Sequence, residues 1–103
     1  MRATSQALLG DWLILILGEN SGKVTKAQAL AAMEGRFGHL LNAVDWQLQP
    51  SGKEVKWHNQ TAWERNNLVK SGILAPVSES GRGVWRLTAK GRAHYDRIRS
   101  SFN

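Results

Sequence analysis

Apolar residues recur at three- and four-residue intervals near the start of the chain, where Leu8, Leu9, Trp12, Leu13, Ile16 and Leu17 share a face that Leu15 widens. This spacing predicts a well-buried first helix, capped by Thr4 or Ser5 and ended by Gly18. Glu19-Asn20-Ser21-Gly22 reads as a turn, and Thr25-Lys26-Ala27-Gln28 has the form of a capping box. The second helix is therefore expected to run to about Gly35, with Ala27, Leu30 and Ala31 on one face. Asn42 is placed to cap a short helical turn over Ala43, Val44, Asp45 and Trp46, after which Pro50-Ser51-Gly52 breaks the chain. The helical pattern returns from about Lys56 to Lys70 and closes at Gly72. Residues 73–77 and 84–87 are two short strand candidates, joined by a Ser- and Gly-rich hairpin tip over 78–83. Thr88 caps a last helix to about Ser100, with Tyr95, Ile98 and Phe102 facing inward.

The order is helix, helix, short helix, helix, hairpin, helix. A mostly α fold with a small β-hairpin in that order is a winged helix-turn-helix. Such a module sends the helix before the hairpin into the major groove and lets the hairpin tip touch the backbone or minor groove. With 103 residues the chain closes one core, so residues 1–103 are expected to form a single domain. There is no cysteine, which excludes a disulfide scaffold, a cysteine-ligated zinc site and a thiol nucleophile. The longest purely apolar run, Trp12 to Leu17, is far too short to span a bilayer, and no signal-peptide cleavage site follows it. The cytoplasm is the expected compartment, and no membrane partner is expected.

Charge sharpens this picture. Residues 1–52 carry four basic and four acidic side chains, whereas residues 53–103 carry ten basic and four acidic, so the whole net charge of +6 lies in the second half. A polarised positive charge suits a polyanion, because neutralising phosphates releases counterions and drives binding.

Within the helix that starts near Lys56, steps of about 100° per residue put Trp57, Thr61, Glu64, Leu68 and Ser71 on one side. Asn59, Ala62 and Asn66 fall opposite, flanked by His58, Arg65 and Val69. The first set is expected to pack and the second to face DNA. Asn matches the paired donor and acceptor on the adenine edge, Arg suits guanine or phosphate, and the small Ala62 lets the helix axis come close. Thr61 with Glu64 is a second capping box, which would start the helix later. The candidate DNA-binding residues are Lys56, Trp57, His58, Asn59, Gln60, Ala62, Arg65, Asn66, Arg82 and Arg86. Arg82 stands out because an Arg between two glycines at a hairpin tip has no packing role. Trp12, Trp63 and Trp85 are assigned to the core. Trp46 and Trp57 stand open between packing and a groove-facing role.

The segment from Trp57-His58-Asn59-Gln60-Thr61-Ala62-Trp63-Glu64-Arg65-Asn66-Asn67-Leu68 through Lys70, Gly72, Ile73 and Leu74 resembles the signature of the N-terminal winged-helix domain of Mrr-type restriction endonucleases. Arg82-Gly83-Val84-Trp85-Arg86-Leu87-Thr88-Ala89-Lys90-Gly91 is similar to that family's closing motif. Phe37-Gly38-His39-Leu40-Leu41 with Asp45, and Pro50-Ser51-Gly52, also fit. The resemblance covers most of residues 24–95. It implies a double-stranded DNA-binding module for target recognition in a restriction system, joined to or associated with a nuclease domain. Two positions depart from the family form. Gln60 stands where Arg is usual, removing a fixed charge near the DNA face, and Glu64 where Ala is usual, adding a carboxylate there or in the core.

No enzymatic activity and no cofactor are expected of this chain itself. The stretch from Gly18 to Lys23 has three residues between its glycines where a phosphate-binding loop needs four, and Val24 where a magnesium-binding hydroxyl belongs. His94-Tyr95-Asp96 lacks a third metal ligand. Two alternatives stay open: a stand-alone transcriptional regulator, which would need a homodimer surface, and a protein-interaction winged helix, which would scatter its basic side chains. Because some restriction systems act on modified DNA, a preference for methylated duplex through Trp57 or Trp46 is a further expectation.

Overall fold

A computed structural model describes residues 1–102. Helix α1 (Gln6–Glu19) begins at Ser5, whose Oγ accepts the Leu8 N–H at 3.1 Å. Its residues Leu9 and Trp12 through Leu17 are all buried, because α2, α3 and α5 pack around it. A helix that is apolar on every side has no solvent face to protect, so it takes the centre of the domain. No helix among the described residues is long and apolar enough to cross a membrane.

Helix α2 (Lys26–Phe37) starts on the expected capping box, with Thr25 Oγ1 accepting from the Gln28 N–H and the Gln28 side chain accepting from the Thr25 N–H. Its inner face is not the one that Ala27, Leu30 and Ala31 share. Ala29, Met33 and Phe37 are buried, with Leu30 and Ala32 partly so, while Ala27 and Ala31 are exposed. The larger side chains decide the rotation: Phe37 stacks on Trp12 with ring centroids 4.8 Å apart, a contact that no alanine could replace. A 3₁₀ turn (Gly38–Leu40) continues α2 beyond Gly35.

The sheet also differs. Strand β2 (Val84–Arg86) pairs antiparallel with β1 (Lys23–Thr25), in register Lys23 to Arg86, Val24 to Trp85 and Thr25 to Val84. The expected partner, residues 73–77, contributes only the isolated bridge between Leu74 and Leu87, made by the Ala75 N–H on the Arg86 carbonyl at 2.9 Å and the Thr88 N–H on the Ile73 carbonyl at 3.0 Å. Pro76 cannot donate to the ladder, and residues from Val77 onward turn into the single helical turn α4 (Val77–Ser80). The wing is therefore β2 flanked on both sides, and its tip is Gly81-Arg82-Gly83, where both glycines have positive φ.

Helix α5 (Ala89–Ile98) is capped by Thr88, and Tyr95, Ile98 and Phe102 pack against the core as expected. Two close approaches need glycine. A Cβ on Gly18 would enter the Tyr95 ring, and one on Gly91 would overlap the Ile73 carbonyl oxygen. The mostly helical chain with its small antiparallel sheet is a winged-helix-like fold.

Candidate nucleic-acid interface

Helix α3 (Lys56–Lys70) takes the earlier of the two expected starts. Thr61, within the helix, donates its hydroxyl to the Trp57 carbonyl at 2.7 Å, so it caps nothing. The start is set by the preceding loop. The Lys56 N–H meets the Gln47 carbonyl at 2.8 Å and the Trp57 N–H meets the Asp45 carbonyl at 3.0 Å. That loop is fastened in turn by the Asp45 carboxylate, 1% exposed, which accepts from the Thr4 N–H at 2.7 Å, the Thr4 hydroxyl at 2.8 Å and the Asn42 N–H at 2.9 Å. Asn42 Oδ1 caps the turn that it was expected to cap, accepting from Val44 and Asp45. Three satisfied hydrogen bonds to one buried carboxylate thus hold the N-terminal arm and the loop together, and the loop carbonyls set the entry to α3.

The packed side of α3 is the expected one: Trp57, Thr61 and Leu68 are buried. Glu64 lies over α1 at Gly10, its Oε1 accepting from Gln6 Nε2 and Asn67 Nδ2, each at 3.1 Å. The carboxylate that departs from the family form is thereby spent on helix packing and does not oppose a phosphate. Beside it, burial pushes the Asp11 carboxyl up, His94 partly offsets this, and Glu64 adds to it.

Of the two α3 tryptophans, the open one is settled and the one assigned to the core is reversed. Trp57 is 1% exposed and cannot touch DNA, so it leaves the candidate set; its ring lies edge-on to His58 at 4.3 Å and to Trp46 at 5.8 Å. Trp63 is 59% exposed and is not core. At 100° per residue it falls 240° from Trp57, in the sector of Asn59, Asn66 and Lys70. Its large apolar ring drew it to the core on composition, although its place on the helix wheel put it outside. The open strip of α3 is accordingly Trp63, Asn66 and Lys70, with half-buried Asn59 and Ala62 at its margins.

The other candidates are spread around this strip. Lys56 and Gln60 are half-buried on the first turns. Arg65 leans toward the wing, its guanidinium 6.0 Å from the Trp85 ring centre, with Nε buried and unpartnered. Arg82 is exposed at the wing tip, next to Gly83, whose carbonyl accepts the Lys26 N–H at 3.2 Å. Arg86 alternates with buried Trp85 and so projects from the outer face of the sheet, directly across from Lys23. Sequence reasoning missed Lys23, because nothing in Lys-Val-Thr marks a strand until β2 pairs with it.

His58 turns toward α2 and away from Asn59 and Asn66. It lines a cleft of about 330 Å³ with Ala27, Leu30, Ala31 and Glu34. Burial pulls its pKa below the ordinary value, with Glu54 and Glu34 opposing and Lys26 assisting. Nearby, the hydrogen bond from Lys26 holds the Glu54 carboxyl below its usual range, with Asn59 adding to the effect. A neutral His58 at pH 7 offers a donor and an acceptor, not a charge. The unfolded chain binds this proton more tightly than the folded one. Stability is therefore expected to fall as pH drops from about 6.5, the unperturbed histidine value, through the lower folded pKa. His58→Gln should flatten that part of a plot of urea midpoint against pH, and an unchanged slope would assign it to other groups.

The electrostatics complete the site. Lys26 pairs with Glu54 at 2.9 Å and Arg36 with Glu19, while among the described residues Arg99, 4.0 Å from Asp96, is the sole cation of the second half within reach of a carboxylate. Lys53, Lys56, Lys70, Arg82 and Arg86 thus keep their charge uncompensated by direct pairing. No group of three metal-ligating side chains gathers among the described residues.

The family model described as the Mrr N-terminal domain matches residues 11–97. No curated protein and no solved structure matches the chain.

Proposed function

The chain belongs to the Mrr N-terminal domain family, and from that premise we propose that it is the double-stranded DNA-binding, target-recognition module of a restriction-system protein. The observation that carries this reading is α3: its buried stripe leaves Asn66 and Lys70 together on the open side, with half-buried Asn59, which bonds Glu54, nearer the helix start. The helix enters the major groove on that side. Asn59 and Asn66 present amide pairs to adenine edges, and Lys70 meets a phosphate. Arg82, at a tip with no other occupation, takes a backbone phosphate. The chain binds and positions, and the chemistry of strand cleavage belongs to a fused or associated nuclease domain.

The test is duplex binding as a function of salt. With about four phosphates neutralised, affinity is expected to fall on the order of a hundredfold between 50 and 200 mM salt. Arg82→Ala should weaken all sequences alike and lower the salt slope by about one. Salt-independent binding, or none at low salt, refutes the reading; an Arg82 variant with the wild-type slope removes the wing from the interface.

A further inference from the structure

Folding gives no reason for Lys23 and Arg86 to face one another. They are direct partners in the register of β1 and β2, and both leave the outer face of the sheet. Side chains so placed have Cβ atoms about 4.5–5.5 Å apart, and two like charges there weaken the pairing of the strands. A third cation stands beside them. The Arg92 guanidinium reaches from the first turn of α5 to Gly22, with Nη2 2.6 Å from the position that a Cβ would take on this residue next to Lys23. None of the three cations lies within ion-pair reach of a carboxylate among the described residues. Glu19, four residues before Lys23, is occupied by Arg36, and Glu79, on the α4 turn beside β2, pairs with no cation.

Like charges held together without a counterion suit an anion that touches both. The outer face of the sheet leads to them from the wing tip: Arg82 comes first, then Thr25 opposite Val84, then Lys23 opposite Arg86. Thr25 and Val84 are uncharged and short, so nothing on this face repels a phosphate on the way. At about 3.3 Å per residue, Arg86 stands roughly 13 Å along the strand from Arg82. A duplex strand carries one negative charge for about every 3.4 Å of axis, so a backbone that rests on the tip continues over this pair. We infer that the outer face of the sheet is a second backbone-phosphate site, in which Lys23 and Arg86 grip one phosphodiester between them and Arg92 flanks it at the base of the wing. The Arg86 guanidinium supplies paired N–H donors and Lys23 a compact charge. The inference rests on the duplex-binding reading above and extends the footprint beyond α3 and the wing tip. A phosphate seated between the two cations relieves the repulsion that the free sheet carries.

The test sets stability against affinity. Lys23→Glu turns the like-charged pair into an ion pair across the strands, so its urea midpoint should rise while its affinity for duplex falls. Lys23→Gln removes the charge and keeps the length of the side chain; its midpoint should not fall. Its salt slope should drop by about one, so that the loss of affinity between 50 and 200 mM salt shrinks about threefold. Arg86→Gln should do the same, and the double variant should lose no more slope than either alone, because both cations hold one phosphate. Arg97→Glu, which changes the net charge as much as Lys23→Glu but lies on the last turn of α5, should leave the slope unchanged. Pyrophosphate, at the concentration of duplex that saturates the wild type, should not raise the melting temperature. A rise that Lys23→Gln abolishes would make this a site for a free phosphate compound and overturn the backbone assignment. Wild-type slopes in Lys23→Gln and Arg86→Gln, or a Lys23→Glu variant that binds as Arg97→Glu does, overturn the inference and leave duplex binding through α3 standing. Absence of duplex binding by the wild type at low salt overturns both.

Discussion

Trp57→Ala is expected to destabilise the domain by about 3–5 kcal/mol, the range for removing a large aromatic side chain from a core. Trp57 is 1% exposed and belongs to the main apolar cluster, with His58 and Trp46 edge-on to its ring. Truncation leaves a void at the start of α3, where the loop from Asp45 docks through the Trp57 N–H. Small domains are stable by only about 5–15 kcal/mol, so this loss approaches unfolding and should appear as a large drop in urea midpoint at constant slope. Trp57→Phe should cost much less. The indole Nε1 is buried without a hydrogen-bond partner, and an unpaired buried donor is itself unfavourable by about 1–3 kcal/mol. Phenylalanine keeps most of the ring and discards that donor. If Ala and Phe were equally harmful, the indole N–H would have to contribute a bond that the packing does not reveal.

Gly91→Ala is the second large effect. The first turn of α5 lies against residue 73, with the Thr88 N–H on the Ile73 carbonyl at 3.0 Å and the Gly91 N–H on Thr88 Oγ1 at 3.0 Å. A methyl at position 91 would overlap that carbonyl oxygen and press on the Leu87 side chain. The neighbour is backbone, fixed by the Leu74–Leu87 bridge, so it cannot rotate away. Overpacking of this kind costs about 3 kcal/mol or somewhat more. Gly35→Ala makes the comparison sharp. Gly35 is exposed within α2 with nothing near its absent Cβ, so alanine there should raise stability by about 0.5–1 kcal/mol through helix propensity and unfolded-state entropy. Thermal melts of the two variants should therefore move in opposite directions. Parallel shifts would mean that α5 can slide off residue 73 at little cost.

Local chemistry settled much of this protein in advance. Helix starts at Ser5, Thr25 and Thr88, the turn under Asn42, the central place of α1 and the family were all legible, because a cap, a helical period or a motif is written within a few consecutive residues. The packed side of α3 was legible for the same reason, since Trp57, Thr61 and Leu68 share one sector of the wheel.

Everything that depended on a distant partner was not. The true partner of β2 is Lys23–Thr25, some sixty residues away in the chain, and a three-residue strand has no pattern of its own to announce it. Alanines at 27, 29 and 31 fit either side of α2, and only the stack of Phe37 on Trp12 chose. The two tryptophans of α3 are alike in composition and opposite in fate. Trp57 went inside because α1 and the Asp45 loop close over its side of the helix, and Trp63 stayed outside because no element covers its own. Burial is a property of what packs against a residue, and that was decided only when the helices came together.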